Sequence, residues 1–183
     1  MGMVFEELDP VTREYMVREF DLEEGGPQPY RGKGLSTRGR DMASGLTRAA
    51  LANGTEQTLI ASLAPVDYWE PTETYARNGV IRERNVNVQQ AAERLSLTEF
   101  NTWYVRGLCC RLLDEGVRYC QAYRAAMPKW EPGECQQHDG QVYEVSLIHR
   151  GHRIRYWPEP GDQTATSIPF GPGCHHTIRR VVG

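Results

Sequence analysis

Lysine is almost missing from this chain: Lys33 and Lys129 are its only two, so arginine supplies nearly all of the positive charge. The skew fits a GC-rich coding genome better than a phosphate-binding role and carries little weight. No apolar run approaches the eighteen or so residues of a membrane span, which excludes a spanning helix. Met1 to Asp9 lacks the basic, apolar, small-residue order of a signal peptide, so a cytoplasmic protein without membrane partners is expected. A Gly-x-Ser-x-Gly elbow is absent, and no carboxylate pair has a spacing suited to acid–base work, so no enzyme class is indicated. Repeats and low-complexity runs are lacking too. The cysteines, Cys109, Cys110, Cys120, Cys135 and Cys174, are odd in number and irregularly spaced in a chain long enough to need no bridges, which argues for reduced thiols.

What remains is an ordinary globular composition, 39% hydrophobic and 25% charged over 183 residues, enough for one domain with its own core. The net charge of −3 excludes a wholly basic nucleic-acid binder. Charge is uneven, however. Residues 1–30 carry eight acids against Arg13 and Arg18, while 151–183 lean basic. Opposite signs at opposite ends suit contacts between copies, although charge runs usually mean only a solvated face.

The best-defined element is a central helix near 97–115. Ser96 with Glu99 makes a capping box, Leu95 and Phe100 a hydrophobic staple, and Gly116 a left-handed stop. Phe100, Trp103, Tyr104, Gly107, Leu108 and Leu112 form one apolar stripe. Upstream, Asp9-Pro10 starts a helix with Val11, Tyr15, Arg18 and Leu22 on one side, ended by Gly25-Gly26-Pro27. Ser36 and Thr55 cap two further helices joined at Asn53-Gly54, an αα-hairpin. Asp67 to Asn78 reads as a packed loop and Val80 to Val88 as a short strand or extended lead-in. Beyond Gly116 the period changes to two. Val117 to Ala126 alternates as a strand, Val142–Ile148 and His152–Trp157 read as a hairpin about Arg150-Gly151, and Thr177–Val182 as a last strand. Helices first and strands after give an α+β class with a small antiparallel sheet, in a single unit over 1–183.

Residues 25–35 are rich in Gly, Pro and basic residues and are expected to form an extended arm or loop. Tyr30-Arg31-Gly32-Lys33-Gly34 lacks the Gly-Lys-Ser/Thr ending of a P-loop. Tyr30, Arg31 and Lys33, with Arg38 and Arg40 just beyond, are instead candidate contact residues for a protein partner or nucleic acid. Asn87 with Gln90 opens a short helix before Ser96, so Asn87 to Leu112 has a helix-turn-helix outline. Thr98, Asn101 and Thr102 stand where such a motif reads DNA, yet the basic cluster that would hold phosphates is missing.

The sharpest chemical pattern is metal-like. Cys135-Gln136-Gln137-His138 has the two-residue spacing that offers sulfur and nitrogen to one ion, and Cys174-His175-His176 can supply another pair. The candidate ligands are Cys135, His138, Cys174 and His176. The separation matches no standard finger, and surface histidines with a buried thiol explain it as well, so no cofactor is expected and zinc is the one ion the pattern admits. A catalytic version would be a zinc-dependent nuclease using Cys135, His138, Cys174, His175 and His176. His149 and His152, flanking the hairpin turn with Arg150 and Arg153, are a separate candidate set of phosphate contacts, although such a cluster is more often just an exposed turn. The Cys109-Cys110 pair lies inside the central helix, with one thiol expected to pack in the core and no neighbouring pattern to activate it.

The block Leu97-Thr98-Glu99-Phe100-Asn101-Thr102-Trp103-Tyr104-Val105-Arg106-Gly107-Leu108-Cys109-Cys110-Arg111, then Gln121-Ala122-Tyr123-Arg124-Ala125 and Ile168-Pro169-Phe170-Gly171-Pro172, resembles a family of small uncharacterised proteins of phage, prophage and bacterial genomes. The resemblance covers the second half of the chain and brings no catalytic residues. It implies a structural, virion-associated or assembly role, in contact with copies of the chain or with a phage shell or connector protein.

Overall fold

In the computed structural model, which describes residues 2–127, 134–153, 165–171 and 173–181 and only the backbone at 134 and 135, the first helix begins where the Asp-Pro signal puts it. Asp9 accepts the Thr12 N–H at 2.8 Å and Pro10 takes the first position of α1, Pro10–Glu24. Its inward face is not the expected one. Thr12, Met16, Glu19 and Phe20 are buried, while Val11 and Leu22 are exposed. The reason is polar: Thr12 and Glu19 receive arginines from a later helix, and those bonds set the rotation of α1.

Ser36 caps α2, Thr37–Asn53, by accepting the Gly39 N–H, and Thr55 with Thr58 caps α3, Glu56–Ser62, reciprocally. The αα-hairpin is therefore as expected. The preceding segment is irregular but does not reach out as an arm. Leu35 is fully buried and bridges Trp69, whose indole N–H donates to Leu63 O at 2.8 Å.

Asp67 to Asn78 is more than a packed loop, because it contains β1, Thr72–Arg77, paired antiparallel with β2, Val80–Asn85. Asn78 and Gly79 join them at φ 52° and 74°, the two-residue turn whose twist matches paired strands. The short strand expected from Val80 is β2, while the polar and charged residues of β1 give no hydrophobic alternation; Arg84 and Glu73 pair across the ribbon at 2.7 Å.

The central helix is α4, Val88–Asp114, 27 residues without a break and roughly 40 Å long. Asn87 caps it through the Gln90 N–H, so the cap expected at Ser96 is not used. Ser96 is fully buried mid-helix, and Glu99 turns to an arginine instead of back to the backbone. Ala91 and Ala92 bury on the same body as Phe100, and that continuous packing outweighs the few tenths of a kcal/mol by which an interior serine disfavours helix. A helix-turn-helix corner at Ser96 is thereby ruled out. The stop is as expected: Gly116 at φ 72° completes a Schellman turn, with Val117 N–H on Leu112 O and Gly116 N–H on Leu113 O.

β3, Tyr119–Arg124, is the middle strand of a second sheet, between β4, Val142–Glu144, and β5, His176–Arg180, both antiparallel to it. The expected hairpin about Arg150-Gly151 does not form at its described residues. After Glu144 the chain winds into α5, Val145–Arg150, which buries Val145 and Ile148 three apart on one face. A short apolar run satisfies either period, and packing onto α4 decides it. The expected second strand falls mostly on 154–157, outside the described residues. Among the described residues the fold is thus α+β, with helices chiefly first, a small ribbon between, and a three-stranded sheet after. Phe100, Trp103, Tyr104, Leu108 and Leu112 of α4 run through the core, against Met16 and Phe20 on one side and Ile178 on another. No helix among the described residues is long and apolar enough to cross a membrane.

Candidate functional site

Three polar clusters lie against α4. In the first, α1 contributes Glu19, α4 Cys110 and α5 His149, and their ligand-capable atoms all lie within 4.8 Å of one another. Cys110 Sγ is 3.1 Å from His149 Nε2. Arg106, one turn before Cys110, donates from Nε to Glu19 at 3.0 Å and from a terminal nitrogen to the His149 carbonyl at 2.8 Å, so it ties all three helices together. Burial, reinforced by the Glu19 charge, pushes the Cys110 thiol up to about 12. Burial and then Arg106 lower the His149 imidazole. Burial acts to raise Glu19, but the Cys110 hydrogen bond and the Arg106 charge outweigh it and hold the carboxyl below its usual range. A protonated thiol beside a neutral imidazole is no nucleophile.

The second cluster is a buried ion network. Arg153 grips Glu99 with two hydrogen bonds of 3.0 and 2.7 Å and meets Glu23 at 3.3 Å, while its guanidinium lies over the Tyr30 and Trp103 rings at 4.3 and 5.2 Å. His152 Nε2 stands 2.9 Å from Glu23. Neither His152 nor Arg153 is an exposed phosphate contact, as a hairpin turn would have made them, because the short α5 ends by folding both side chains inward.

This network makes stability acid-sensitive. Burial depresses His152 from 6.5 to about 4, so on acidification the unfolded chain takes up its proton first and stability falls between those values. Glu23 is held at about 2, against 4.5: burial opposes this, but the His152 hydrogen bond and the Arg153 charge prevail, and stability is lost again as pH falls from 4.5 toward 2. Urea melts should therefore show a midpoint that drops from pH 7 to pH 4, by about 2–3 kcal/mol of stability for His152. His152→Gln should flatten that part of the profile.

The third cluster is the sequence-predicted metal quartet. Cys174 Sγ lies 3.7 Å from His176 Nδ1, the two residues sharing a face because they are two apart in extended chain. The loop carrying His138 and Asp139 reaches the same end of β3: Arg124 N–H donates to Asp139 Oδ1 at 2.9 Å, and Arg124 is the register partner of His176. His176 is buried, with Nε2 4.0 Å from Asp139. His138 faces the Tyr143 hydroxyl at 2.5 Å and the Phe170 ring. The side chain of Cys135 lies outside the described residues. The structure thus brings three of the four positions to one end of the sheet.

No family model, curated protein or solved structure matches the chain. Geometry alone must therefore carry the functional argument. The candidate contact residues are largely engaged within the chain: Tyr30 under Arg153, Arg31 on Glu24 at 2.6 Å, Arg38 on Asp67 at 2.8 Å and Arg40 on Leu35 O at 3.1 Å, with Lys33 exposed. Sequence reasoning passed over Glu19 and expected one thiol of the Cys109-Cys110 pair in the core, without singling out Cys110 or giving it partners. The one available signal was that Arg106 and Cys110 are four apart on α4 and so share a face with whatever helix packs there.

Proposed function

We propose that this chain is a non-enzymatic assembly protein that acts by contact with other copies of itself or with a phage shell or connector protein, made in the cytoplasm and built into a virion. The observation that best supports this reading is the β1–β2 ribbon. Every residue of β2 is exposed, including Val80 at 54% and Ile81 at 77%. Among the described residues each strand has only the other as ladder partner, so each keeps an outer edge of backbone donors and acceptors. Two-stranded ribbons are marginal alone, and an open edge invites another strand. The likeness of the second half to phage proteins points the same way. A DNA-binding module through Asn87 to Leu112 would have to dock without the corner at Ser96, and a nuclease would rest on the sheet-end Cys and His residues without His152 and Arg153 as phosphate contacts.

Ile81→Glu is the direct test. Burying an isoleucine at an interface stabilises it by about 2 kcal/mol, so the variant should associate about tenfold or more weakly in sedimentation velocity while its thermal melt stays unchanged. Wild-type chain that sediments as a monomer at every concentration and never accompanies particles would overturn the reading.

A further inference from the structure

We propose that Glu19, Cys110 and His149 hold a zinc ion, through a carboxylate oxygen, the Cys110 sulfur and His149 Nε2, with water in the fourth position. The donors come from three different helices, so the scaffold, not a loop, sets their spacing. Tetrahedral zinc with bonds near 2.0–2.3 Å needs its donors about 3.3–3.8 Å apart. The Cys110–His149 separation of 3.1 Å and the 4.8 Å limit on the group lie close to that, so small side-chain rotations suffice.

The surroundings suit such an ion. Arg106 Nε holds one Glu19 oxygen at 3.0 Å, which orients the carboxylate as outer partners of metal ligands do, and its terminal nitrogen holds the backbone carbonyl of His149, which pins that end of α5 beside α4. Arg18 also touches Glu19, at 3.4 Å, but its side chain is half exposed and free to swing into water when a cation enters. Zinc binds cysteine as the thiolate, so Cys110 must give up its proton on binding. Zinc displaces that proton: an S–H bond breaks, a Zn–S bond forms, the proton leaves to solvent, and nothing is oxidised or reduced. Sulfur, nitrogen and oxygen from three ligands with one open position is the pattern of a zinc site that keeps exchangeable water.

The test is titration of the metal-free full chain with zinc and with cobalt(II). One equivalent should bind, one proton should be released, and affinity should rise about tenfold per pH unit over the neutral range. Cobalt should give a tetrahedral spectrum with the near-ultraviolet charge-transfer intensity of a single thiolate. Cys110→Ser and His149→Gln, checked for folding by circular dichroism, should each weaken binding at least a hundredfold, while Cys174→Ser should leave it unchanged. Absence of binding, two-thiolate intensity, or binding that survives Cys110→Ser and His149→Gln but is lost in Cys174→Ser would overturn the proposal. Cys174→Ser lies outside the helical core, so it separates this site from the sheet-end cluster even where Cys110→Ser or His149→Gln unfolds.

Discussion

Arg153→Met is expected to destabilise the fold by about 3–5 kcal/mol, because it strands the buried Glu99 carboxylate and takes one cation from the partly buried Glu23, without removing either acid. The Arg153 side chain is 2% exposed and that of Glu99 10%, so water cannot replace the lost hydrogen bonds. Methionine matches the arginine stem in volume and leaves no large cavity against Trp103, so the loss would be electrostatic. For a chain of this size it corresponds to a fall of about 6–20 °C in Tm. The loss should shrink as pH is lowered, since protonation of Glu23 removes one charge that methionine cannot balance; a cavity effect would not change with pH. A second control is Arg48→Met. Arg48 and Asp21 also pair at 2.8 Å, but both side chains are about half exposed, 52% and 46%, and loss of that pair should leave Tm unmoved. Glu99→Leu in the Arg153→Met background should recover part of the stability, because one stranded carboxylate is then gone.

The same network shows where the sequence was readable and where it was not. Local signals were reliable: Asp9, Ser36, Thr55 and Asn87 all cap helices, and Gly116 closes α4. Each of these depends on residues within four positions of itself. Ser96 failed because a capping box is also a harmless sequence inside a helix, and whether the chain turns there depends on what Ala91 and Ala92 pack against. The inward face of α1 failed for a related reason, since Thr12 and Glu19 are buried by arginines about a hundred residues away, at |i−j| of 99 and 87. Half of the ribbon was legible, since the short strand expected from Val80 is β2; β1 was read as loop although Asn78-Gly79 is a strong hairpin signal, because its residues are mostly polar or charged and only partly buried. Of the candidate sites, the sheet-end Cys and His residues were visible as a spacing. The Glu19, Cys110 and His149 cluster was invisible, because three single residues on three helices have no spacing until the helices dock.

That docking is tightest at Gly107, and it gives glycine-to-alanine changes opposite signs at two helical positions. A Cβ on Gly107 would stand 2.6 Å from the Met16 backbone nitrogen and 2.8 Å from its Cα, so α1 and α4 approach backbone to backbone there. Backbone on both sides cannot swing away, and α1 would have to move by more than half an ångström. Met16, Phe20, Trp103 and Leu108, all buried along this seam, would move with it. Alanine gains about 1 kcal/mol in intrinsic helix preference, but overpacking of this kind costs about 1–3 kcal/mol or more, and with backbone atoms as the obstacle the upper end applies. Gly107→Ala should therefore destabilise the fold by about 1–2 kcal/mol net, and Gly107→Leu by far more. Gly45, inside α2, has nothing within 4 Å of the equivalent position. There the propensity term stands alone, and Gly45→Ala should stabilise by about 0.5–1 kcal/mol. Urea denaturation of the two variants settles the point: if Gly107→Ala also stabilised, the close crossing of α1 and α4 would be wrong, and with it the register that sets Glu19 beside Cys110.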